Sequence, residues 1–174
     1  MNDSARRERL YAEAATEFGA ALERLARGYE RDPDKRRDLL QEIHIALWRS
    51  FGRFEGRCSL RTWVYRVAHN TATSRVVRAG ADIPALVAID DVEAIADTGA
   101  EGRIDREMML NRLYDLIHTL APQDRQVMLL YLEAVDAATI AEVTGLSASN
   151  VATKVHRLKQ LLVRRCRERG VDVR

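Results

Sequence analysis

Apolar residues recur at steps of three and four through most of this chain, as in Leu10, Ala14, Phe18, Ala21, Leu22 and Leu25, and no long run alternates apolar with polar residues. A step near 3.6 is the period of a helix with one buried face, whereas a half-buried strand needs a period of two. The sequence therefore predicts an all-α protein. The dominance of Ala, Leu, Arg and Glu over β-branched and aromatic residues agrees with that reading. With 174 residues, 47% of them apolar and 31% charged, the chain has enough apolar side chain to fold as one ordinary domain or two small ones.

Several function classes are disfavoured at once. Met1 to Leu10 carries three arginines and no apolar run, so no secretory leader is read there, and no apolar stretch approaches the ~20 residues that span a bilayer. The expectation is a cytoplasmic protein without membrane insertion. Cys58 and Cys166 have no CxxC or Cys/His companion, which predicts reduced thiols, no metal and no cofactor. His44, His69, His118 and His156 fall on four different predicted helices without a paired nucleophile, so no catalytic residue is assigned. The chain is expected to act by binding and not as an enzyme.

The elements can be placed from their caps. A first helix runs from Ser4 to about Tyr29. Asp32 and Pro33 then offer an N-cap and a first helical residue, with a stripe of Leu40, Ile43, Leu47, Phe51 and Phe54 and an end near Phe51 or Gly52. Lys35, Arg36 and Arg37 sit near that helix start, where the helix dipole favours anions. After a loop from Arg53 to Cys58, Ser59 caps a third helix whose buried side is predicted as Leu60, Trp63, Val64 and Val67, with Thr62, Arg66, His69 and Asn70 opposite.

Residues 80–103 lack periodicity and are rich in acid, Ala and Gly, predicting a mobile linker and two independently moving units over 4–79 and 104–170. The second unit carries Ile104, Met108, Leu113, Leu116, Ile117 and Leu120 on one face, then a helix starting at Pro122. A short helix from about Asp136 to Thr144 is closed by Gly145, and Ser147 caps a last helix with Val151, Val155, Leu158 and Leu162 inward. Short helix, glycine turn and longer basic helix make a helix-turn-helix layout.

The net charge of +2 hides an uneven distribution. Residues 1–80 hold 16 basic and 11 acidic residues, 81–107 hold 2 and 8, and 108–174 hold 10 and 7. Arg49 to Arg78 has seven arginines against Glu55 alone, and Ser147 to Arg169 has seven basic residues against Glu168 alone. Two separate basic patches in one small chain point to a polyanion.

Three segments carry a family resemblance: Asp38-Leu39-Leu40-Gln41-Glu42 with Leu47-Trp48, Ser59-Leu60-Arg61-Thr62-Trp63-Val64-Tyr65-Arg66-Val67-Ala68-His69-Asn70, and Leu120-Ala121-Pro122-Gln123-Asp124-Arg125 through Ile140 to Ser147, Val151 and His156-Arg157. Together and in this order they resemble a bacterial RNA polymerase sigma factor of the extracytoplasmic-function group, which retains sigma regions two and four. The resemblance implies that Asp38, Gln41, Glu42 and Trp48 bind core RNA polymerase. It implies minus-ten promoter DNA contacts by Arg53, Arg57, Arg61, Trp63, Arg66, His69, Asn70, Arg75 and Arg78. Trp63 has two readings, core by periodicity and DNA-reading by resemblance, of which core is favoured.

On the last helix, Ser149, Asn150, Thr153 and Arg157 lie opposite the apolar stripe with Lys154 at the flank, which suits a major groove at the minus-thirty-five element. Asn pairs bidentately with adenine and Arg with guanine. The chain has Ser149-Asn150-Val151-Ala152 where the family often has Gly-Thr-Val-Lys, and Ser74 where Asp is common. Group members are commonly held by an anti-sigma factor, so the resemblance implies one here. The alternatives are a helix-turn-helix regulator acting without polymerase and a helical adaptor protein.

Overall fold

The computed structural model describes residues 3–80 and 103–168, with side chains over 3–80 and 106–166. The predicted linker over 80–103 lies almost wholly outside the described residues. Helices α1 (Asp3–Tyr29), α2 (Pro33–Ser50), a 3-10 turn (Phe51–Arg53) and α3 (Leu60–Arg78) make one half; α4 (Arg103–Ile117), α5 (Pro122–Leu132), α6 (Ala137–Thr144) and α7 (Ala148–Glu168) make the other.

Local chemistry sets the boundaries. The Asp32 carboxylate accepts from the backbone N–H of Asp34 at 2.9 Å and of Lys35 at 3.0 Å, satisfying donors that the first turn leaves orphaned. These two bonds hold its carboxyl below the usual range. Of the three cations that follow, Arg37 pairs with Asp34. Ser59 accepts from the Thr62 N–H at 3.0 Å to start α3, and Asp136 accepts from the Thr139 N–H at 2.9 Å to start α6. Gly145, at φ 76°, ends α6 in the left-handed conformation that a Cβ would oppose.

Packing shifts two of the predicted faces. In α2 the buried residue is Leu39, followed by Ile43 and Leu47, and Leu40 is only half-buried. A strict step of four from Leu39 through Phe51 keeps one line of side chains against α1 and α3. In α3 the buried residues are Thr62, Val64, Tyr65, Ala68, His69 and Ala72, an arc of about 160° at 100° per residue. Thr62 and His69 are thus not on an exposed side, while Leu60, Trp63 and Val67 sit at the margin. The wide arc follows from neighbours on two sides: α1 and α2 on one, α6 on the other.

The halves do not stand apart. Helices α4 and α5 lie against α1, α6 lies against α3, and the buried side chains of both halves join in a single apolar cluster. Gly28 lets α1 approach α5 so closely that a β-carbon there would overlap the Leu129 side chain. Where independent motion is expected from the acidic linker, the structure packs the two units together through apolar faces on α1 and α5.

Candidate nucleic-acid interface

Helix α7 is presented by the turn before it. The Ser147 hydroxyl accepts from the Asn150 N–H at 3.2 Å, and Val151, Leu158, Leu161 and Leu162 are buried. This fixes the rotation of the helix and leaves Ser149, Asn150, Thr153 and Arg157 exposed on one stripe. The Thr153 hydroxyl is turned back, donating to the Ser149 carbonyl at 3.0 Å.

Lys154 does not join them. It is half-buried and paired with Asp124 of α5, because a lysine one step off the exposed stripe reaches the neighbouring helix before it reaches solvent. His156 and Gln160, in contrast, share a hydrogen bond of 3.0 Å and continue the stripe at seven and eleven residues from Ser149. Helical spacing alone could have found both.

The arginines of the first half are engaged to different degrees. Arg53 is exposed, and Arg57 pairs with Glu55 at 2.7 Å in an exposed loop. Arg61 donates to the Glu133 carbonyl at 3.1 Å and Arg66 to the Glu142 carbonyl at 2.9 Å, both across to the second half. Arg75 lies 2.8 Å and Arg78 3.8 Å from the Glu42 carboxylate. Asn70 is exposed.

His69 is a correction. It is 1% exposed, its Nδ1 shares a 2.9 Å hydrogen bond with the Tyr29 hydroxyl, and desolvation pushes its pKa down to about 3. A buried neutral imidazole inside the α1–α3 contact cannot touch DNA. Trp63 is half-buried, donates its indole N–H to Ser50 Oγ at 3.0 Å and stacks at a tilt on Phe54, 5.3 Å between centroids. Trp63 thus packs against the core without being buried in it.

On α2, Asp38 and Gln41 are exposed, whereas Glu42 is held by Arg75 and Arg78. Trp48 is half-buried, edge-on to Tyr11 at 5.6 Å with the Arg7 guanidinium 5.8 Å from its ring. The four residues expected at the polymerase are therefore two exposed polar residues, one ion-paired carboxylate and one packed aromatic. Among the described residues no group of three or more His, Cys, Asp or Glu side chains could hold a metal, and no helix is long and apolar enough to cross a membrane.

Comparison with known proteins gives these surfaces a context. Residues 15–81 match the model of sigma-70 region 2 and residues 110–162 that of sigma-70 region 4. The RNA polymerase sigma-E factor of Streptomyces avermitilis is 31% identical over 159 residues, covering 88% of this chain and 83% of that protein. The ECF RNA polymerase sigma-E factor of Haemophilus influenzae is 28% identical over 135 residues, 72% of this chain and 71% of that protein. The fold is shared with the structure of CnrH in complex with the cytosolic domain of CnrY, at a TM-score of 0.66 over 92% of this chain and 90% of that one, with 19% identity. The chain belongs to the extracytoplasmic-function (ECF) group of RNA polymerase sigma factors.

Proposed function

We propose that the chain docks on core RNA polymerase through the exposed edge of α2 around Asp38 and Gln41, with Glu42 joining once released from Arg75 and Arg78. In the resulting holoenzyme the loop over 53–57 and the arginine face of α3 hold the minus-ten strand, and α7 reads the minus-thirty-five major groove. The units that do this are 4–79 and 104–170, with 80–103 as their connection. The observation that carries the reading is the single exposed stripe of Ser149, Asn150, Thr153 and Arg157 on a capped basic helix. Such a stripe offers base-reading groups with no side-chain carboxylate among them.

Arg61 and Arg66 lie close to carbonyls at the ends of α5 and α6 and Arg75 and Arg78 close to the Glu42 carboxylate, oxygen acceptors of the kind a guanidinium also meets at phosphate. No side chain of this scheme is catalytic. A protein regulator of the anti-sigma kind is proposed as a further partner, and the site of action is the compartment of the chromosome, the cytoplasm.

Co-purification tests the reading. Tagged protein incubated with core RNA polymerase should retain it, and the complex should shift promoter DNA at a salt concentration where the free protein does not. Sequence-specific DNA binding without polymerase retention would identify a regulator that acts alone. Binding of neither would identify an adaptor.

A further inference from the structure

We propose that the corner between α5 and α6 is the resting occupant of Arg61 and Arg66 on α3, so that the free protein keeps this part of its minus-ten surface covered while its minus-thirty-five surface stays open. This rests on the reading of α3 given above. The corner is fastened from two sides. From α1, Arg24 meets the Glu133 carboxylate with both prongs of its fork, Nε at 2.6 Å and Nη2 at 2.7 Å. From α3, Arg61 and Arg66 donate to the backbone carbonyls of Glu133 and Glu142.

Those two carbonyls lie at the C-terminal ends of α5 and α6, where backbone acceptors lack helical partners and the helix dipole is negative. They present to the α3 arginines what a DNA backbone would present, acceptor oxygens bearing negative potential. Each carbonyl takes one nitrogen of a guanidinium that has five N–H donors, so the exclusion of a strand comes from α6 itself, which lies directly against α3. The exposed stripe of α7 is not part of this contact.

The clasp is built to open. The Arg24 side chain is 52% exposed and Glu133 only 14%, so water and salt reach the pair from the Arg24 side. The Gly28 and Leu129 contact supplies the apolar part of the same seam. The closed form can thus make minus-thirty-five contacts first, and minus-ten contacts follow only when the corner lifts.

Cys58 and Cys166 are half-buried against the apolar cluster, so a fluorophore pair for energy transfer is placed on exposed positions of the two halves by Glu13→Cys and Ala152→Cys in a Cys58→Ser, Cys166→Ser background. Arg24→Glu should lower transfer, and so should Gly28→Leu, which forces the seam apart without changing charge. On unlabelled protein, both variants should bind a fluorescent twenty-residue oligo(dT) strand about fivefold more tightly. The gain in Arg24→Glu would come despite the loss of a positive charge. Arg24→Glu combined with Glu133→Arg should restore wild-type transfer and affinity, showing that the variant chain still folds. Unchanged transfer in both single variants, or lowered transfer without tighter strand binding, overturns the proposal. A gain that Arg66→Ala fails to remove in the Arg24→Glu background overturns the assignment of α3 as the strand surface, while the transfer data still report the clasp.

Discussion

Arg75 Nη1 lies 2.8 Å from Glu42 Oε1, so a residue of the proposed promoter set on α3 is held by a residue of the proposed polymerase set on α2. Arg78 approaches the same carboxylate at 3.8 Å. On the proposed function, docking on polymerase through Glu42 would free these two arginines for DNA in one event. Glu42→Ala should weaken binding to core polymerase and tighten non-specific DNA binding by the free protein. Both side chains are partly exposed, so a double-mutant cycle with Arg75→Ala in urea unfolding should give a coupling of only about 0.5–1 kcal/mol. Glu42→Ala that leaves free-protein DNA affinity unchanged would contradict the link.

On α7, Asn150→Ala and Arg157→Ala should each cost about 1–3 kcal/mol of promoter-specific binding, since each removes a side chain able to contact a base edge in two places. Polymerase binding should not change. Lys154→Ala should behave differently, lowering stability together with Asp124→Ala and leaving the preference among promoter sequences intact, because its ammonium is spent on α5. Titrations of specific and random duplexes separate the two patterns. Equal losses on both duplexes for Arg157→Ala would reduce that side chain to a phosphate contact.

Buried His69 predicts a pH dependence. Its folded pKa of about 3 lies below the unfolded 6.5, so below about pH 6.5 the unfolded chain takes up a proton that the folded chain refuses. The associated stability is complete above that pH and drains away as pH falls toward 3. His118, lowered to about 4 by burial and by Arg125 and Arg31, acts in the same direction. Between pH 7 and pH 5 His69 alone should account for about 2 kcal/mol of lost stability. Urea unfolding at the two pH values checks this, and His69→Asn should remove that share of the loss.

The caps at Asp32, Ser59 and Ser147 and the turn at Gly145 were legible in the sequence, because each is a bond or a backbone conformation within four residues. The face of α3 was not. Leu60, Trp63 and Val67 form a plausible apolar stripe, and only the second layer of helices moves the burial toward Tyr65, Ala68 and Ala72. Nor could spacing show that His69 points at Tyr29, forty residues away, or that Lys154 reaches Asp124. The seam between the halves was least legible. Arg61 and Arg66 cross it to backbone carbonyls, which carry no residue identity, Arg24 pairs with Glu133 at 109 residues' separation, and its apolar part depends on a glycine, which has no side chain to show in a periodicity.

As a sigma factor, the chain gives core RNA polymerase its choice of start site. Transcription in vitro on fragmented genomic DNA, with sequencing of transcript 5′ ends, measures that choice directly. Core polymerase supplemented with the protein should start at a small set of positions sharing two upstream elements, and Asn150→Ala with Arg157→Ala should lose those starts while still binding core polymerase. Start positions indistinguishable from those of core polymerase alone would contradict the claim.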